Sequence, residues 1–205
     1  MADNAPTPYV AHEADLEILK STWQKVLEGE SKTVRLSAPM GGGKRAIVGE
    51  LSRIAIAEAE DNVLLWRINI REEDEGLAVL LRAYAGLFQA VARSPTFRGK
   101  VEMALNSQLP NQPKRVQNWY QAFIDSMRKA KPAEDGRVKV SLPEDNPLVS
   151  LIEITTGIAR KFPVILDIQG LHCTHSVGLM AFLEGLIREA SNDCRLMTVL
   201  SMEPL

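Results

Sequence analysis

A glycine-rich run that ends in a basic pair has the clearest chemistry in the sequence. Residues 38–45 read Ala-Pro-Met-Gly-Gly-Gly-Lys-Arg, between a strand-like run and a helix-like one. In the pattern G-x-x-x-x-G-K-[ST], glycines let backbone N–H groups converge on a phosphate, and the lysine neutralises its charge. The run matches the core of this pattern. The candidate nucleotide-binding residues are therefore Gly41, Gly42, Gly43, Lys44, Arg45 and Ala46.

Two positions depart from the phosphate-loop pattern and leave alternatives open. Ala38 stands where the first glycine is expected, and Arg45 stands where a serine or threonine would hold Mg²⁺. A guanidinium has only N–H donors, so it cannot coordinate a metal ion. The run forms either a phosphate loop or a glycine-rich turn without a ligand. Arg45 is either a counter-charge for a phosphate in place of the metal or a solvated surface arginine.

The elements around this run predict that it lies at the edge of a parallel sheet. Apolar strand-like runs alternate with segments whose apolar residues recur every three or four positions, as in helices. Strands are predicted over residues 33–37, 63–70, 162–168 and 195–201. Helices are predicted from Glu13 up to Gly29 and over 46–59, 77–92, 99–105, 115–130, 148–161 and 176–190. This alternation predicts an α/β fold, a three-layer sandwich with a mainly parallel sheet.

Together with the glycine-rich run, two further stretches resemble the AAA+/STAND class of P-loop ATPases. Residues 9–16, Tyr-Val-Ala-His-Glu-Ala-Asp-Leu, are similar to the family's box F-V-G-R-E-x-E-L, from which Ala11 and His12 depart. Residues 163–172 run from a proline through an apolar strand to a Leu-His pair, as the family's Walker B segment does. The resemblance implies a P-loop NTPase type of fold without the family's helical lid.

The Walker B segment can be aligned with the family in two registers. In the gapless register Gln169 takes the place of the carboxylate that holds the Mg²⁺ water shell, and Gly170 that of the acid that polarises water. In the competing register Asp167 takes the first role, and Ile168 follows it. The second acidic position holds no acid in either register. Because an unpaired carboxylate in a core strand is costly, we expect Asp167 to lie near the strand end or to have a partner.

The resemblance implies a degenerate nucleotide-binding or pseudo-ATPase module that acts as a regulatory or scaffolding domain through protein–protein contacts. Loss of one charge-stabilising group typically slows a reaction by about 10²- to 10³-fold, so ATP hydrolysis is expected to be slow or absent. ATP or ADP is expected to bind weakly or not at all, and participation of Mg²⁺ is left open. One alternative is an active ATPase completed by residues from a neighbouring subunit. Another is a scaffold whose loop binds nothing.

Composition excludes several other classes of protein. The 205 residues suit one domain over 10–205 after a flexible N-terminus at 1–9. A net charge of -2 gives no basic footprint for nucleic acid, and no apolar run approaches the roughly 20 residues of a membrane helix. His172, Cys173 and His175 lack the further ligands of a zinc site, so no metal is expected. We expect a cytoplasmic protein with a protein partner or a second copy of itself.

Overall fold

A four-stranded parallel sheet forms the centre of the fold in the computed structural model of the chain. The structure describes residues 13–39, 41–60, 62–71, 77–129, 145–171, 177–190 and 193–203. The strands are β1 (Lys32–Ser37), β2 (Leu64–Asn69), β3 (Val164–Gln169) and β4 (Leu196–Met202). Their order across the sheet is β1-β4-β3-β2, and every neighbouring pair is parallel. The carboxyl ends of all four strands therefore lie at one edge.

Helices precede the first strand and connect the strands to one another. They are α1 (Glu13–Leu27), α2 (Lys44–Glu58), α3 (Leu77–Ala92), α4 (Pro95–Gln108), α5 (Lys114–Lys129), α6 (Pro147–Ala159) and α7 (Val177–Ala190), with a short 3₁₀ turn at Leu109–Asn111. Parallel strands need crossover connections of this kind, because a tight hairpin cannot return the chain to the starting edge.

Two apolar clusters hold helices against opposite faces of the sheet. One cluster joins α1 and α2 to alternate strand residues such as Ile165, Met197 and Val199. The other cluster joins the helices from α3 through α7 to the remaining strand residues, including Leu166 and Ile168. Successive side chains of a strand point to opposite faces, which explains how one short strand serves both clusters. The predicted α/β fold with a parallel sheet is confirmed, and helices on both faces are compatible with three layers.

Two helices start earlier than the apolar pattern predicts. Helix α2 begins at Lys44, two residues before the predicted start, because Gly43 has the left-handed φ of 78° and turns the chain directly into the helix. Helix α4 spans Pro95–Gln108 rather than 99–105, because Ser94 caps it by accepting a hydrogen bond from the Phe97 N–H. Both starts depend on local backbone geometry that apolar periodicity does not report.

Several sequence predictions lie outside the described residues. These are the flexible N-terminus at 1–9, the resemblance at 9–12, most of the loop at 132–147, and His172, Cys173 and His175. Within the described part of the chain, no helix is both long enough and apolar enough to cross a membrane.

Candidate functional site

The glycine-rich run forms a turn that leaves the start of α2 open. Gly41 and Gly43 both have left-handed φ angles, 79° and 78°, which glycine adopts without steric cost. Gly43 is the N-cap of α2, and as a glycine it has no side chain with which to cap the helix. The first amides of a helix have no acceptor within the helix, and the helix dipole makes this end partly positive. The turn therefore has the geometry of an anion-binding helix start.

The alanine in place of the first glycine is accommodated by a neighbouring glycine. A Cβ atom added at Gly42 would lie 3.0 Å from the Cβ of Ala38 and 3.0 Å from the carbonyl oxygen of Pro39. The Gly42 N–H also donates to that carbonyl at 3.0 Å. Ala38 fits because Gly42 has no side chain, so this departure from the pattern does not distort the turn.

Lys44 reaches back across the turn. Its ammonium donates to the carbonyl oxygens of Ala38 and of Pro39, the latter at 2.9 Å. An ammonium has three N–H donors, so two hold it in place and one is left for a ligand. The lysine is thus held across the turn by the backbone of the turn itself.

A chain of hydrogen bonds runs from the start of α2 through the end of β3 to β2. Arg45 Nε donates to Gln169 Oε1 at 3.0 Å, and Gln169 Nε2 donates to Asp167 Oδ2 at 2.7 Å. Arg67 Nε donates to the same Asp167 oxygen at 2.7 Å. Gln169 therefore has both ends of its amide engaged, one by a cation and one by a carboxylate.

Asp167 is buried and only partly compensated. Its side chain is 5% exposed, while that of its partner Arg67 is 48% exposed. Burial raises the pKa of Asp167, and the hydrogen bonds and charges of Arg67, Gln169 and Arg45 oppose that rise. Its second oxygen, Oδ1, has no hydrogen-bond partner among the described residues. The expectation that Asp167 has a partner is confirmed, and that partner is an arginine on the adjacent strand.

The register of the sheet places three polar side chains in one row at the carboxyl edge. Gln169 is opposite Asn69 on β2 and Ser201 on β4. Side chains opposite each other on neighbouring strands share a face of the sheet, and here it is the face covered by α2. Ser201 is 4% exposed, and its hydroxyl has no hydrogen-bond partner among the described residues. The row thus includes a buried hydroxyl with unused hydrogen-bonding capacity.

The turn and this row surround one cavity of about 630 Å³. One wall is formed by residues 41–46, that is, by all six residues predicted to bind nucleotide. The other wall is formed by the strand ends and the residues that follow them: Asn69, Ile70, Gln169, Gly170, Ser201 and Glu203. Asp167, two residues before Gln169, makes contact with the site through Gln169. The cavity lies where ligands of open α/β sheets bind, outside the carboxyl ends of the strands.

Gly170 has a structural reason to be glycine. Its φ is 78°, and an added Cβ would lie 2.5 Å from the carbonyl oxygen of Ile70. Real Cβ atoms do not approach an oxygen this closely, so any side chain at this position would displace the end of β2. In the gapless register this is the position where the resemblance expects a catalytic acid, and it cannot hold one in this backbone conformation.

Sequence reasoning missed the residues that β2 contributes. Arg67 and Asn69 lie in a strand that reads as apolar, and their closeness to Asp167 and Gln169 follows only from strand register. The one signal in the sequence was that Arg67 is a charged residue inside an apolar run, which suggests a charged partner nearby. Comparisons with protein-family models, curated proteins and solved structures find no match to this chain.

Proposed function

We propose that the chain is a degenerate AAA+/STAND-like, P-loop-type nucleotide-binding or pseudo-ATPase module that acts as a regulatory or scaffolding domain through protein–protein contacts. The proposal includes a cytoplasmic location and a partner that is another protein or a second copy. The observation that carries it is a single cavity that joins an uncapped, glycine-rich helix start to the polar row at the carboxyl edge of a parallel sheet.

The cavity suits a phosphate-bearing small molecule in size and in the hydrogen-bonding groups on its walls. Ligand pockets typically measure about 300–1,000 Å³, a range that includes this one. Lys44 supplies a cation, the start of α2 supplies N–H donors, and Ser201 supplies a hydroxyl without a partner among the described residues. Each of these groups is complementary to a phosphate oxygen.

The same site is poorly equipped for hydrolysis. Gln169 is an amide engaged at both ends, Gly170 cannot carry a side chain, and Asp167 is held by Arg67 behind the cavity. None of them is placed to polarise an attacking water. Binding without turnover, in which the nucleotide sets the conformation that a partner recognises, is the function that these groups support best.

Titration of ADP into the protein, followed by calorimetry, tests this proposal. Lys44→Ala removes a charge-assisted contact worth about 1.5–3 kcal/mol, so we expect ADP to bind roughly ten- to a hundredfold more weakly. Lys25→Ala, which alters an exposed lysine on α1, is the matched control and should bind as the wild type does. Absence of heat with the wild type, or equal binding by both variants, would favour a scaffold whose turn holds no nucleotide.

A further inference from the structure

We propose that the cavity binds the phosphates of a nucleoside diphosphate without Mg²⁺, with the guanidinium of Arg45 in the place of the metal. This inference rests on the proposed function, and it names the ligand state that the site selects. It is carried by the position of Arg45, by the engagement of both Walker B candidates and by the orphan hydroxyl of Ser201.

The position of Arg45 is the first step. In the phosphate-loop pattern the residue after the lysine holds Mg²⁺ through a hydroxyl. Arg45 occupies this position in the first turn of α2 and lines the cavity. A guanidinium cannot coordinate a cation, and its fixed positive charge repels one. The residues of this site therefore do not fit the metal that the family resemblance implies.

The residues on β3 do not restore a metal site. The amide oxygen of Gln169 accepts from Arg45, and its amide nitrogen donates to Asp167. Asp167 Oδ2 accepts from both Gln169 and Arg67, so this oxygen is already engaged by an arginine. Asp167 also lies two residues before Gln169 on β3, and it does not belong to the row of side chains that lines the cavity. In both registers of the Walker B segment, the candidate metal ligand is committed to an arginine.

Arg45 is instead arranged to meet an anion. Only its Nε donates to Gln169, and its two terminal amino groups make no hydrogen bond with the described residues. A guanidinium has five N–H donors in a rigid fork that binds phosphate oxygens in pairs. Gln169 therefore acts as a positioning residue, which fixes the fork from behind and leaves its outer donors for the ligand.

The charges match a terminal phosphate without a metal. Such a group carries about -1.5 to -2 charges at pH 7. Lys44 and Arg45 supply two positive charges, the start of α2 adds roughly half a charge, and the acidic side chain of Glu203 on the opposite wall subtracts one. Ser201, whose hydroxyl has no hydrogen-bond partner among the described residues, lines the opposite wall of the cavity. An added Mg²⁺ would place two more positive charges beside Arg45, at a position where the hydroxyl that holds the metal in the phosphate-loop pattern is replaced by a guanidinium.

Calorimetric titration of ADP in EDTA and in excess MgCl₂ tests the inference on the wild-type chain. We expect ADP to bind in EDTA and to bind equally or more weakly in Mg²⁺. Arg45→Thr restores the hydroxyl and removes the fork, so its affinity in EDTA should fall about ten- to a hundredfold. Arg53→Thr, two turns along α2 and exposed, is the matched control that should leave the affinity unchanged.

The outcomes separate this inference from the function on which it rests. ADP binding that depends on Lys44 but is about tenfold or more tighter in Mg²⁺ would overturn the metal-free site and leave the nucleotide-binding function standing. Unchanged affinity of Arg45→Thr in EDTA would also overturn it. Failure of the wild type to bind ADP in either buffer would overturn both proposals. Unfolding curves of each variant, measured by circular dichroism, establish that the folded protein is being titrated.

Discussion

At the scale of single residues, the buried Asp167 makes a prediction about pH. Burial raises its pKa, so the folded chain holds this proton more tightly than the unfolded chain does. Ionisation of Asp167 therefore costs stability as the pH rises from about 4, its ordinary value, through its folded pKa. Asp167→Asn keeps the shape and removes this cost. The difference in free energy of unfolding, variant minus wild type, should therefore increase between pH 4 and pH 7. Urea titrations followed by tryptophan fluorescence measure it.

An exposed aspartate supplies the control with the opposite sign. The hydrogen bond from the Trp119 indole, helped by Arg115, lowers the pKa of Asp145. Its stabilising effect is present above the ordinary pKa of aspartate and is lost as the pH falls through the lowered one. The free energy of unfolding of Asp145→Asn should therefore fall relative to that of the wild type as the pH rises. If Asp167→Asn behaved in the same way, the Arg67 pair would outweigh burial, and the pKa of Asp167 would be lowered rather than raised.

At the scale of elements, the geometry of the turn after β3 predicts that position 170 does not tolerate a side chain. The catalytic acid that the resemblance expects there therefore cannot be introduced by a single substitution. Gly170→Ala would meet both the left-handed φ of 78° and the carbonyl of Ile70 at 2.5 Å. Strain of this kind costs about 1–3 kcal/mol before the clash is counted. We expect a lower midpoint in urea unfolding and a weaker affinity for ADP, because Gln169 must move with the turn.

Gly29→Ala is the matched control for this turn. Gly29 also has a left-handed φ, 103°, but an added Cβ there would have nothing within 4 Å. It should lose stability from backbone strain alone, and less than Gly170→Ala does. Equal losses in the two variants would show that the contact with Ile70 relaxes at little cost, and Gly170→Asp would then become a feasible route to a catalytic acid.

The same elements show what the sequence could and could not predict. Apolar periodicity located the strands and most helices, because each element must present a face or a stripe to the core. It could not place the start of α2, which depends on the left-handed Gly43. It also could not pair Arg67 with Asp167, since these residues are 100 positions apart and meet only through strand register. The six residues of the turn were predictable because their chemistry and spacing are local.

At the scale of the whole molecule, the proposed pseudo-ATPase module differs from an ATPase completed by a neighbouring subunit in how ATP turnover depends on protein concentration. Glu203 is the one acidic side chain among the described residues that line the cavity, and it lies beyond the end of β4. A single chain with this lining should release phosphate from ATP at a rate close to the background. A site completed by a neighbouring subunit would instead show a rate per chain that rises with concentration, because assembly would create the missing groups.

Phosphate release measured over a wide range of protein concentration, with light scattering on the same samples, distinguishes these cases. A flat, near-background rate is expected for the nucleotide-binding module. A rate that rises in step with assembly would establish the neighbour-completed ATPase and contradict the pseudo-ATPase proposal. A substantial rate that is independent of concentration would point to a base within one chain. Glu203→Gln would then abolish turnover while leaving ADP affinity in place, because Glu203 is the one acidic side chain among the described residues that line the cavity.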